Sequence, residues 1–329
     1  KIPTNLPRVS KKLEENKQAQ NSEQATYHFL QKVQDWARGL GLQETVNYSF
    51  VSSKELERLD LLHDSTIPLF NPLTSDQNTL RPLLAPGLLQ ALGYNLSQGN
   101  KDLHLFEVAR TFCKDSSLET GASENNKLGI ALHGLRNPGF WPWKMEKNDF
   151  LDLKGYMEHF FHSLGIYTYS LSRLNEHPFL EPGVQVQIGD QEIAIAGQLR
   201  SKLVKNYQGR NEIFLAEFDL DRIYSHYIQN AYSFKSWPKY PPVHRDMTLI
   251  APTDVKYSDI IELVQNSNLD YLQSCTLIDL YQPQNSRDRH FTFRMTYRHT
   301  DRTLTDEEVD EIHTALGNMI INTLSVRFP

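Results

Sequence analysis

The stretch Arg289–Arg298 alternates polar and apolar residues almost without error. Successive strand side chains point to opposite faces, so Phe291, Phe293, Met295 and Tyr297 share one side and His290, Thr292, Arg294, Thr296 and Arg298 the other. Further strands are predicted over 245–251, 275–281 and 325–328. After the alternating strand, Val309, Ile312, Leu316, Met319, Ile320 and Thr323 recur at helical spacing. Thr305-Asp306-Glu307-Glu308 is a capping box, with an acidic first turn that suits the helix dipole. Ser258 opens a shorter helix bearing Ile260, Ile261, Leu263 and Val264. Two helices among four strands predict a ferredoxin-like β-α-β-β-α-β sandwich over 233–329.

Upstream, the pattern mixes helical stripes with strands. Residues 1–20 read as an extended, polar lead-in containing Pro3 and Pro7. Ser22 caps a helix whose stripe is Ala25, Phe29, Val33, Trp36 and Leu40. Thr45–Phe50 reads as a strand, and Ser52 with Glu55 as a second capping box. Pro86 stands where a helix begins. Strands are predicted over 102–112, 127–134 and 213–220, a hairpin turns at Gly189-Asp190, and helices are predicted over 149–164 and 201–207. Hairpins with interspersed helices predict an α+β unit over 21–232, an antiparallel sheet flanked by helices. Trp237-Pro238 and Pro241-Pro242 stiffen the connection that follows a boundary near residue 232.

Composition narrows the function. The net charge of −6 argues against a generally cationic nucleic-acid coat. From Lys235 onward there are 10 Lys+Arg against 13 Asp+Glu, yet Arg287, Arg289, Arg294, Arg298 and Arg302 cluster, which predicts a local basic face on an acidic body. Cys113 and Cys275 form no metal spacing and imply no disulfide framework, so a reducing cytoplasm is the default. No apolar run reaches membrane-spanning length, and no signal peptide is visible. The chain opens Lys1-Ile2-Pro3 without Met and reads as a piece of a longer protein. The alternating strand admits two readings: a single-stranded RNA platform, or an ordinary half-exposed strand. Phe140-Trp141-Pro142-Trp143 either packs back onto the sheet or anchors a partner.

Four ordered blocks carry a resemblance: Tyr240–Asp246, Asp279-Leu280-Tyr281, Asp301–Glu308 and Arg327. The segment resembles the ferredoxin-fold anticodon-binding domain that closes the β subunit of bacterial phenylalanyl-tRNA synthetases. Asn71-Pro72-Leu73, Leu80-Arg81, Pro86–Leu89, Leu105–Phe112, Asp152-x-Lys154-Gly155 and Ala216–Leu220 resemble the catalytic-like module of the same subunit, which has the class II synthetase sheet. Together these resemblances span essentially the whole chain.

The resemblance implies an (αβ)2 ligase in which the α subunit uses ATP and magnesium to activate phenylalanine and charge tRNA. The β subunit would scaffold the assembly, edit through an upstream module, and hold the anticodon arm of tRNAPhe. The family's magnesium site would lie before Lys1, leaving no cofactor or metal in this chain, and the helix 22–40 is the candidate contact for the α subunit. RNA-binding candidates are Arg245, Tyr281, His290, Arg294, Arg298, Arg302 and Arg327, with Arg294 and Arg298 on phosphates and Tyr281 and His290 stacking. No catalytic residue is expected: Glu212–Leu220 lacks a Gly-x-Gly-x-Arg-like run to approach a triphosphate, and Arg81 with Glu107 is expected to brace the sheet. His133, His159 and His162 are expected to be structural or surface residues. A protein-interaction module without RNA binding and a self-sufficient adenylate-forming enzyme are the alternatives.

Overall fold

The computed structural model describes residues 23–137, 139–229, 237–267 and 269–329. The expected lead-in over 1–20, the Ser22 cap, Pro138 and the boundary near 232 lie outside the described residues. Contacts divide the chain into two compact units, Lys1–Tyr232 and Ser233–Pro329.

In the larger unit, strands β1 (Gln43–Glu44), β4 (Leu103–Lys114), β5 (Ala122–His133), β6 (Ser170–Arg173), β7 (Leu180–Ile188), β8 (Gln191–Leu199) and β9 (Ile213–Asp219) form one sheet. Their order is β1-β4-β5-β9-β8-β7-β6; β1 runs parallel to β4 and the other pairings are antiparallel. β2 (Phe50–Val51) and β3 (Thr79–Leu80) make a separate ribbon. The alternation of β4 and β5 feeds two cores. Phe106, Leu128, Ile130 and Phe218 pack against α1 (Glu23–Gly39), α4 (Phe150–Ser163) and α6 (Leu220–Gln229). Leu105, Ala131 and Leu215 on the opposite face pack against α2 (Ser53–Arg58), α3 (Ala85–Ser97) and α5 (Ser201–Val204).

The smaller unit is the expected sandwich. β10 (Val243–Ala251), β11 (Leu272–Tyr281) and β12 (Arg289–Tyr297) pair in the order β10-β12-β11, with α7 (Tyr257–Asn266) and α8 (Asp306–Thr323) on one face. Phe291, Phe293, Met295 and Tyr297 are all at or below 2% exposure, sealed by Ile260, Val264, Val309, Leu316 and Ile320. The fourth strand shrinks to a bridge between Ile250 and Arg327 on the outer edge of β10. The Thr305 box closes from both sides: Glu308 N donates to Thr305 Oγ1 at 3.3 Å, and Thr305 N to Glu308 Oε2 at 3.0 Å.

Several local expectations are corrected. Residues 45–49 leave the sheet, because Asn47 turns inward to Glu107 and breaks the ladder. Ser52 makes no side-chain cap; Glu55 is instead buried, accepting from the Tyr207 hydroxyl and pairing with Arg58. Helix α7 starts one residue before Ser258, with Asp259 accepting from the Lys256 amide. α4 carries an unforeseen capping box, Asp149 with Asp152. Of the α1 stripe, Phe29 and Val33 are buried in the chain's own core beside Ala37, while Ala25, Trp36 and Leu40 are half-buried. Phe140, Trp141 and Trp143 are 65%, 89% and 52% exposed, so the loop does not pack back.

Candidate nucleic-acid interface

Register builds an open face on the smaller sheet. α7 and α8 take the side lined by Met247, Leu249, Phe291 and Phe293. The opposite side presents His244, Asp246 and Thr248 from β10, His290, Thr292, Arg294 and Thr296 from β12, and Ser274, Thr276, Asp279 and Tyr281 from β11. A register shift between Leu277 and Asp279 brings Asp279 and Tyr281 onto this face. Tyr281, 56% exposed, stands edge-to-face with His290 at 5.8 Å between ring centroids. Arg294 donates to both oxygens of Asp246, at 2.8 and 2.7 Å. That pair holds the Asp246 carboxyl below its usual range. Thr248 and Thr292 share a hydrogen bond of 3.0 Å, and His244 meets Thr296 at 3.2 Å.

The seven candidates do not assemble into one cationic row. Arg245 lies on the helix side, donating to Asp306 and Asp310 of α8 at 2.7 and 2.8 Å. Arg302 grips Glu308, whose carboxyl falls to about 2 mainly through that contact. Arg298 follows the end of β12, its amide donating to Tyr271 O at 2.8 Å. Arg327 sits opposite Ile250 and donates to Asp288 at 2.8 Å. Tyr281, His290 and Arg327 therefore gather at one end and Arg294 lies mid-sheet. The face is one of hydroxyls, rings and a matched ion pair, which suits base and ribose contacts better than dense phosphate binding. Asp246, Asp279, Thr248 and Thr292 belong to it as well; the polar–apolar alternation of β10 was the signal for the first and third.

On the larger sheet, Arg81 and Glu107 form a buried ion pair of 2.7 Å. Arg81 Nε also donates to Arg110 O at 2.9 Å, and Asn47 Nδ2 donates to Glu107 Oε2 at 2.7 Å. Glu217 is buried beside the start of α3, accepting from Leu84 N at 2.8 Å; burial pushes its carboxyl up to about 7. The space between Ala85, Leu88, Phe179, Ile195 and Glu217 amounts to about 10 Å³. The carboxylates of Glu107 and Glu217 are both committed within the fold, and the gap beside Glu217 leaves no room there for a base. Among the described residues, no group of three or more His, Cys, Asp or Glu side chains is arranged to hold a metal, and no helix is long and apolar enough to cross a membrane.

An edge segment of the larger unit is inside out. Thr45 and Asn47 bond inward to Phe106 O and Glu107, whereas Val46, Tyr48 and Phe50 face outward at 92%, 74% and 39% exposure. Phe70 and Leu73, in the loop before β3, are 97% and 95% exposed.

Comparison with known proteins agrees with both units. Residues 2–220 match the family "Phenylalanyl tRNA synthetase beta chain CLM domain", and residues 238–328 the "Ferredoxin-fold anticodon binding domain". The chain is 39% identical over 325 residues to the phenylalanine–tRNA ligase beta subunit of Nitratidesulfovibrio vulgaris, covering 98% of this chain and 40% of that one. It is 37% identical over 304 residues to the same subunit of Oleidesulfovibrio alaskensis, covering 91% and 37%. The chain thus spans about 40% of the length of the curated relatives it matches. A pyrrolysyl tRNA synthetase from Desulfitobacterium hafniense shares the fold, with a TM-score of 0.50 at 17% identity over 65% of this chain and 74% of that one.

Proposed function

The chain belongs to the phenylalanyl-tRNA synthetase β-chain family, and from that premise we propose that it serves as an adaptor without an active site of its own. In this reading the smaller unit holds the anticodon arm of tRNAPhe, and the larger unit docks the α subunit that binds ATP and magnesium and performs aminoacylation in the cytoplasm. The observation that carries the RNA assignment is the uncovered sheet face: the Tyr281–His290 ring pair beside Asp279, with hydroxyls along its length. Rings of this kind stack unpaired bases, and a neighbouring carboxylate accepts from base amino or imino groups.

Docking of the α subunit is supported by the inverted segment. Turning Val46 and Tyr48 to water while Thr45 and Asn47 point inward leaves an apolar strip that burial in a subunit interface would stabilise. The commitment of Glu107 and Glu217 within the fold, with no space for a nucleotide beside Glu217, supports the non-catalytic reading.

Fluorescence anisotropy with a labelled tRNAPhe transcript at low salt tests the first part. Tyr281→Ala is expected to raise Kd about tenfold through loss of one stacked base. Unchanged binding by both Tyr281→Ala and Arg294→Ala would favour a purely protein-interacting unit. Co-purification with the α subunit tests the second part: Tyr48→Asp with Phe70→Asp is expected to abolish it, and full retention would refute that docking surface.

A further inference from the structure

The open face runs from the Tyr281 end of the sheet toward the opposite end, where β10 and β11 begin and β12 stops. Val243 and Leu272 both pair with Tyr297 there. The segments just beyond, Trp237–Tyr240, Tyr271–Gln273 and Arg298–Asp301, enclose a cavity of about 650 Å³, within the range of small-ligand sites. Its chemistry differs from a core defect. Tyr271 and His299 stand 5.0 Å apart between ring centroids with planes 30° apart. Trp237 is 88% exposed, a large ring left in water. Lys239 and Arg298 supply positive charge, and Asp301 one carboxylate. Arg298 Nε is buried with no hydrogen-bond partner among the described residues. Its backbone amide fixes Tyr271, which is held at φ +67°, a conformation costly for a residue with a Cβ.

We propose that this cavity is a second RNA subsite, taking one unpaired nucleotide with its base against Trp237 or Tyr271 and its phosphate against Lys239 and Arg298. The proposal deepens the RNA-binding reading and rests on it. Three rings with two cations and a carboxylate match a nucleotide's stacking face, anionic backbone and polar base edge together. A protein side chain would use fewer of these groups, since Pro238 and Leu272 are the aliphatic residues among the rings, charges and polar groups that line the cavity. Position supports continuity: His290 and Tyr297 bound roughly 24 Å of extended strand at about 3.4 Å per residue. A single strand laid along the open face from the Tyr281–His290 pair would leave the sheet at this cavity.

The test measures binding of a labelled tRNAPhe transcript to the chain by anisotropy at low salt, with α-subunit co-purification in parallel. Trp237→Ala is expected to raise Kd about tenfold, Trp237→Phe to recover most of it, and Lys239→Gln to reduce the salt slope by about one. Trp237 is exposed, so its removal leaves the core intact. Combined with Tyr281→Ala, the effects should add, as the sites are far apart. Wild-type RNA affinity for Trp237→Ala overturns the subsite, and a loss confined to α-subunit co-purification overturns it in favour of a protein occupant. The two readings separate cleanly. Weakening by Tyr281→Ala alone leaves the sheet-face reading standing and removes the subsite; weakening by Trp237→Ala alone does the reverse.

Discussion

Replacing Arg81 with Met decides whether the most deeply buried charges in the larger unit are structural. The Arg81 and Glu107 side chains are 3% and 2% exposed and 2.7 Å apart. Arg81→Met preserves length and apolar volume but leaves Glu107 buried, held only by Asn47 through its backbone amide at 3.3 Å and its Nδ2 at 2.7 Å. Stranding one member of a buried pair costs about 3–5 kcal/mol. At about 2–4 °C per kcal/mol for a unit of this size, the melting temperature should fall by roughly 6–20 °C.

The double variant Arg81→Met, Glu107→Leu should recover part of that loss, because no lone charge remains; the residual cost is an unsatisfied Asn47 amide, about 1–3 kcal/mol. Scanning calorimetry of the four corners of this cycle, following the transition of the larger unit, yields the coupling energy. The expected coupling favours the wild-type pair by about 2 kcal/mol or more. A loss below about 1 kcal/mol in the single variant would refute the reasoning, since a pair kept for a ligand and solvated without it would tolerate the change.

Glu217, raised from 4.5 to about 7, binds a proton in the folded state that the unfolded chain has released between those values, so its contribution to stability falls as pH rises through that window, by roughly 3 kcal/mol in all. Glu217→Gln should therefore gain on the wild type between pH 5 and pH 8 in urea unfolding, and a pH-independent difference would contradict the assignment. Gly197→Ala places a Cβ 2.5 Å from Pro182 O and 2.9 Å from Gly183 Cα, both backbone, and should cost about 1–3 kcal/mol and soften the β7–β8 pairing in hydrogen exchange. Thr305→Ala removes the α8 cap and should lower the stability of the smaller unit by about 1 kcal/mol in chemical denaturation, with Thr305→Ser largely neutral.

What could be read in advance was local. The alternation of β12 lies within nine residues, and the Thr305 box within four, so periodicity alone placed both. What escaped was long-range. Asp246 matches Arg294 across 48 positions, and Asp306 and Asp310 hold Arg245 across 61 and 65, so arginines that looked like a bare cationic row include several held by carboxylates. The segment 45–49 shows the same failure. Its alternation was visible, but which side faced inward depended on Glu107, 60 residues away from Asn47.

That inversion and the uncovered sheet express one physical condition in two units. A strand normally hides its apolar row, yet Val46 and Tyr48 lie in water while their polar neighbours are spent inside. A half-sandwich normally tolerates a wet face, but this one gathers rings and hydroxyls there, with Asp246 and Asp279 among them. Each unit closes its own core and leaves one surface open: an apolar segment in the larger unit, a face of rings and hydroxyls in the smaller. Meanwhile the buried carboxylates Glu107 and Glu217 are consumed by Arg81, Asn47 and the backbone amide of Leu84. On the proposed function, attachment would fall to the two exposed faces and not to the buried pair Arg81–Glu107, which the four-corner cycle reads as bracing.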